Sequence, residues 1–285
     1  MTPSGLFKWL VISALGVAAC QSGETTGGGG GLQDGGSDSG ASATGTRFSF
    51  FVTSLKALQD LSGNANGFGG DLRFGETGAG AGLRGADKIC ATIAERSLAG
   101  AGQKTWRAFL SASSDGNGNQ VNAIDRVGNG PWYDRLGRVL AMTKTDLVAV
   151  RPVGADPIIQ NDFPNEDGVP NHQPDPNQPA VDNHDMLTGT DSNGRLYGAM
   201  FTCKDWTANA GDKASEGQPR VGHSWPRTGG GGAGGNSGAH WMNALTESGC
   251  APGVNLIETG PPMANSNTVG SGGGYGGFYC FALTP

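Results

Sequence analysis

The chain is predicted to fold as an α+β domain with long irregular loops. Three observations predict this: an amphipathic helix is readable at residues 86–98, short aromatic and β-branched segments recur from Phe48 to Phe281, and four cysteines are spread among them. Glycine supplies 52 of the 285 residues, about 18% against a usual share of roughly 7%. It is pooled, with ten glycines in 21–45, seven in 229–238 and six in 270–277. No Gly-X-Y period runs through the chain, so a collagen helix is excluded, and the recurring apolar clusters exclude wholesale disorder.

The elements follow in order. Arg47 to Leu55 (RFSFFVTSL) is aromatic and β-branched and reads as the first strand. Residues 59–85 are glycine-rich and read as loop. Ala86, Ile89, Cys90, Ile93, Ala94 and Leu98 then recur at helical spacing, with Gly100 closing the helix. Trp106 to Leu110 follows as a strand with Trp106, Ala108 and Leu110 on one face. Arg138 to Met142 reads as another short strand and 143–150 (TKTDLVAV) as a helical turn. Residues 151–186 hold seven of the fifteen prolines and seven acidic residues, and read as an irregular surface insertion. Beyond it come a strand-like segment at Met186–Thr190, a polar turn at Asp191–Gly194 and a short helix around Trp241, Met242 and Leu245. An apolar final strand covers Phe278–Leu283, with the second and third glycine pools as loops. Trp106, Trp206 and Trp241 are expected in the core.

Ahead of the domain, residues 1–19 carry Lys8 and then eleven apolar residues, Trp9 to Ala19. That stretch is too short for a bilayer, which needs about 20 residues, and fits a secretory h-region. Val17-Ala18-Ala19-Cys20 resembles a bacterial lipobox, which implies cleavage before Cys20 and a lipid anchor on that residue. Gln21 in place of an aspartate then implies the outer membrane, with its face left open. Residues 20–45 read as a Gly/Ser-rich tether spanning roughly 25–30 Å, and 46–285 as the folded domain. The net charge is −6 and no run of Lys or Arg exceeds two. Nucleic acid and anionic polymers are therefore poor partners.

Apart from Cys20, the cysteines are Cys90, Cys203, Cys250 and Cys280, an even number that favours disulfides in an exported chain. Three connectivities are open. No CxxC or His/Cys cluster suggests zinc. The segments Ala86-Asp87-Lys88-Ile89-Cys90, Trp106-Arg107-Ala108-Phe109-Leu110-Ser111, Gly189 to Arg195, Cys203-Lys204-Asp205-Trp206 and Tyr279-Cys280-Phe281 resemble, in register, the endostatin domain. The resemblance covers roughly 47–283 and is closest to the bacterial endostatin-like surface lipoproteins, which share a C-type-lectin-like fold. It implies nested bridges, Cys90–Cys280 and Cys203–Cys250. Endostatin's zinc histidines and arginine-rich heparin surface have no counterpart here, so neither ligand is carried over.

Catalytic signatures are sparse. Gly272-x-Gly274-x-x-Gly277 and Gly229-x-Gly231-x-x-Gly234 match a dinucleotide fingerprint literally, but neither opens a helix after a strand. There is no GxSxG, HExxH or Walker sequence. Asp182-Asn183-His184-Asp185 reads either as a base with its orienting carboxylate or as a hydrogen-bonded loop anchor, the latter favoured. The acids Asp162, Glu166, Asp167, Asp175, Asp182 and Asp185 suit a structural calcium in the 156–185 loop, although a solvated loop fits their spacing better. No other cofactor is expected.

His223, Trp225 and Arg227 border the second glycine pool and are the preferred recognition residues, with His184 and Asp185 as further candidates. The expected function is therefore non-catalytic recognition or adhesion. A monomeric lipid-anchored module would bind an extracellular protein or glycan. The alternatives are an envelope hydrolase using His184 and Asp185, or a purely structural envelope protein.

Overall fold

The computed structural model describes residues 47–225, 240–257, 262 and 266–285. The signal segment, Cys20, the tether, Arg227 and the second glycine pool lie outside the described residues. Among those described, no helix is long and apolar enough to cross a membrane.

The first strand, β1, covers Phe50–Val52 and is shorter than the apolar run that announces it. Helix α1, Leu55–Ser62, follows at once, in sequence read as strand end and loop. Ser54 ends the strand by capping that helix, its hydroxyl accepting from Ala57 N at 3.1 Å. Glu166 then binds the cap from across the chain, accepting from Ser54 N at 2.9 Å and Ser54 Oγ at 2.5 Å. Helix α2 spans Ala81–Ser97 and buries Ala86, Ile89, Cys90, Ile93 and Ala94, the stripe read from the sequence. It starts five residues earlier than that stripe. Gly85 belongs inside it because a Cβ there would stand 2.1 Å from the carbonyl oxygens of both Leu72 and Arg73. Close backbone packing, not a break, explains this glycine.

The remaining strands are β2 (Trp106–Ala108), β3 (Trp132–Tyr133), β4 (Val139–Ala141), β5 (Asp185–Leu187), β6 (Arg220–His223), β7 (Leu245–Thr246) and β8 (Gly274–Ala282). Strands β3 and β4 form a separate antiparallel pair. In the main sheet β8 is the hub. One edge pairs antiparallel with β1, and the other pairs first parallel with β5 and then antiparallel with β2. Strands β6 and β7 extend the sheet beyond β5. All nine residues of β8 are buried. Tyr279 and Phe281 pack with Phe50, Phe109 and Trp241, while Cys280 on the opposite face meets α2.

Two disulfides, Cys90–Cys280 and Cys203–Cys250, staple this α+β structure, one nested within the other along the chain. Cys203 opens a turn in which Cys203, Lys204, Asp205 and Trp206 all take positive φ, between 49° and 66°. L-residues resist that conformation. The turn is held by Asp205, which accepts from Ser113 N and Oγ at 2.6 Å each, and by Trp206 Nε1 donating to Ser111 O.

Three readings of the sequence need correction. The third glycine pool is not simply a loop, because Gly274, Gly276 and Gly277 lie within β8 where β5 supplies ladder partners. Trp241 and Met242 form no helix. Trp241 N donates to Val150 O and Met242 N to His240 Nδ1, so their amides bind elsewhere than along a helix axis. Residues 151–186 are a solvated surface insertion only in part: 176–180 are exposed, but Asp162, Glu166, His184 and Asp185 are all buried. Their carboxylates and backbone amides are used internally: Glu166 at the cap of α1, Asp162 by accepting from His172 N at 3.2 Å.

Candidate functional site

The register of β5 against β6 pairs Asp185 directly with His223. Cross-strand partners stand close enough for their side chains to meet, and His223 Nε2 lies 2.9 Å from Asp185 Oδ1. His184, one residue earlier, places Nε2 3.8 Å from the same oxygen. Its other nitrogen, Nδ1, lies 2.7 Å from Asp182 Oδ1, a separation that requires a proton between them. The two imidazoles meet edge to face with centroids 4.4 Å apart. His184, Asp185 and His223 are buried, at 0%, 0% and 1% exposure.

Glu247, just past β7, completes the layer. Its Oε2 accepts from Ser271 Oγ, and from Gly272 N at 2.8 Å. A Cβ on Gly272 would stand 2.9 Å from Asp185 Oδ2 and 3.2 Å from Glu247 Oε1, so the absent side chain leaves room between two carboxylates. Burial alone would raise the Asp185 pKa, but the charges of His184 and His223 outweigh it and hold the carboxyl below its usual range. Glu247 goes the other way, pushed well up by burial and then by the charge of Asp185. Two adjacent buried carboxyls cannot both ionise cheaply, so the pair's shifts run in opposite directions.

Toward the surface, His172 Nε2 lies 3.2 Å from Asp182 Oδ1, so this carboxylate bridges two histidines. Burial works against its ionisation, yet hydrogen bonds from His172 and His184 hold its pKa well below the ordinary value. Trp225 stacks on His172 with centroids 4.0 Å apart and planes 8° from parallel. Trp225 is partly exposed, whereas Trp106, Trp132, Trp206 and Trp241 are in the core. Beside these residues a cleft of about 430 Å³ is lined by Leu55, Val181, Leu256, Asn171, Asn183 and Gln178 among others. Asn171 Nδ2 and Asn183 Oδ1, both buried, make no hydrogen bond among the described residues.

Of the candidate recognition residues, the structure brings His184, Asp185, His223 and Trp225 together, and Arg227 is outside the described residues. Only Trp225 among the four reaches solvent. The other three are too deeply placed to touch anything larger than an ion or a water. Both readings of Asp182–Asp185 come partly together here, with His184 held between Asp182 and Asp185. Sequence reasoning passed over His172 and Glu247, which long-range register alone brings in. No protein-family model matches the chain, and neither does any curated protein.

His240 lies outside this cluster and has a pH consequence of its own. Its Nδ1 accepts from Met242 N at 3.1 Å, and burial, then the charge of Arg151, lowers its pKa to about 4. The folded pKa lies below the unfolded value of about 6.5. Its stabilising contribution is therefore complete above that value and is lost as the pH falls through 4. Urea midpoints should decline across that window in the wild type. His240→Asn, whose amide oxygen can accept the same hydrogen bond, should show a shallower decline.

Proposed function

We propose that the chain is a lipid-anchored outer-membrane module that recognises an extracellular glycan or protein without chemistry, through a domain of the endostatin-like, C-type-lectin-like type. The cleft lined by Leu55, Val181, Leu256, Asn171 and Asn183 is the observation that carries this reading. It combines apolar walls with a buried amide donor and acceptor, Asn171 Nδ2 and Asn183 Oδ1, that make no hydrogen bond among the described residues. Such a mixture suits a sugar or a peptide backbone, whose polar groups fix orientation while apolar faces supply area. Separately, the partly exposed Trp225, stacked on His172, offers a flat aromatic face. The disulfide pairing is the one the family resemblance implies, which supports the fold assignment.

The oxidised chain should bind at least one member of a glycan and matrix-protein array. Trp225→Ala and Asn183→Ala should each weaken that binding by roughly tenfold or more. Silence of the wild type across the array, or equal binding by both variants, would overturn the reading.

A hydrolase is the second reading, favoured by the 2.7 Å pairing of His184 Nδ1 with Asp182. Against it, Ser271 Oγ donates to Glu247 and not to an imidazole, and the buried Ser224 Oγ makes no hydrogen bond among the described residues. Turnover of an ester or glycoside panel that disappears in His184→Asn would establish it in place of the first.

A further inference from the structure

We propose that His184 Nε2, Asp185 Oδ1 and His223 Nε2 form a binding site for a single transition-metal dication of the zinc type, with Glu247 beside it. The site lies beneath the recognition surface and does not depend on that surface binding anything. The three donor atoms all lie within 4.8 Å of one another. Two of their separations are 2.9 and 3.8 Å. These bracket the spacing of about 3.3 Å that tetrahedral ligands with bonds near 2.0 Å require. Small adjustments of two imidazole rings would therefore close the shell.

The donor chemistry selects the metal. Two imidazoles and one carboxylate match the protein ligand sets of zinc and of other late first-row dications. Calcium takes oxygen ligands, so the calcium considered for the 156–185 acidic loop does not fit here. Among the described residues the acids of that loop form no convergent group apart from Asp185.

Three further observations point the same way. Asp182, 2.7 Å from His184 Nδ1, stands behind the ring and orients its other nitrogen toward Asp185. A carboxylate behind a ligating histidine is the usual outer support of such sites. Asp185 Oδ2 and Glu247 Oε1 are buried beside one another and face the space left by Gly272. That space is where a water or Glu247 itself would supply the fourth ligand. Among the described residues the ion pairs of Asp182 and Asp185 are all with histidines, not with lysine or arginine.

The test uses the full oxidised chain, stripped with chelator, desalted, and titrated separately with cobalt chloride and zinc sulfate. One equivalent of either metal should remain after equilibrium dialysis. The cobalt form should show the intense visible bands of four- or five-coordination, and zinc should abolish them. His223→Gln and Asp185→Asn should each weaken binding by ~100-fold, and Asp182→Asn, a positioning residue, by roughly 10–100-fold. Asp175→Asn, in the exposed part of the acidic loop, should bind like the wild type.

The proposal fails if the wild type retains less than about a tenth of an equivalent, since a preformed site with this donor set should fill at micromolar metal. It also fails if His223→Gln and Asp185→Asn both bind normally. If those two variants do not fold, the wild-type stoichiometry and cobalt spectrum decide. A weak spectrum of six oxygen ligands would overturn it.

Discussion

Replacing Cys90 and Cys280 together by alanine is expected to cost about 5 kcal/mol of stability, the largest single effect in the molecule. The bridge spans 190 residues of chain, and a cross-link of that length removes much freedom from the unfolded state. The inner bridge, Cys203–Cys250, spans only 47 residues and should contribute about 4 kcal/mol by the same reasoning. Total stabilities of single domains are about 5–15 kcal/mol, so loss of the outer bridge approaches the whole. It also carries a positional role, since it joins α2 to the middle of β8, the strand on which the rest of the sheet assembles. Chemical denaturation of both double variants measures the difference. Equal losses, or a smaller loss for the outer pair, would show that chain entropy is not the main contribution.

Asp87→Ala is expected to cost about 3–5 kcal/mol, because it strands a buried guanidinium. Asp87 receives Arg126 Nη2 on both carboxylate oxygens at 2.8 Å and Ala108 N at 2.9 Å, and Arg107 approaches at 3.3 Å. The Arg126 side chain is 12% exposed. Its Nη1 is committed to Ala108 O, so it cannot swing out to water without breaking the end of β2. Burial raises the Asp87 pKa despite the charge of Arg126, which shows how much desolvation this pair absorbs. Asp87→Asn keeps an acceptor for Ala108 N and should lose less than alanine. Urea denaturation of the two variants orders the effects, and a loss below 1 kcal/mol for alanine would contradict the buried-pair account.

These same residues show where the sequence was legible. Asp87 and Trp106-Arg107-Ala108 stood out as one resemblance, and the structure joins them through a shared ion pair and a backbone hydrogen bond. The stripe on α2 was readable because helical burial repeats every 3.6 residues, a property local to the segment. Helix α1 was missed although Leu55, Leu58 and Leu61 recur at helical spacing behind Ser54, because the aromatic run before it and the glycines after it dominate the window. At the site, only the contiguous Asp182–Asp185 segment could be seen in advance. His223 joins it through the β5–β6 register, and Glu247 through β7, which lies more than 60 residues further along the chain. Register between distant strands is set by the packed whole, and no local pattern records it. His172 is similar, brought in by folding of an insertion whose prolines and acids suggested solvent.

The position of β8 has a consequence for biogenesis. It follows in the chain every strand it pairs with; β1 and β2 find no ladder partner in the main sheet until it arrives, and β5 has only β6. During synthesis the preceding 273 residues can therefore form helices, turns and the β3–β4 and β5–β6–β7 pairings, but not the centre of the sheet. Long-range pairing of this kind is slow and leaves apolar strands uncovered meanwhile. Cys280 lies on this last strand, so the Cys90–Cys280 bridge cannot close until nearly the whole chain has been made.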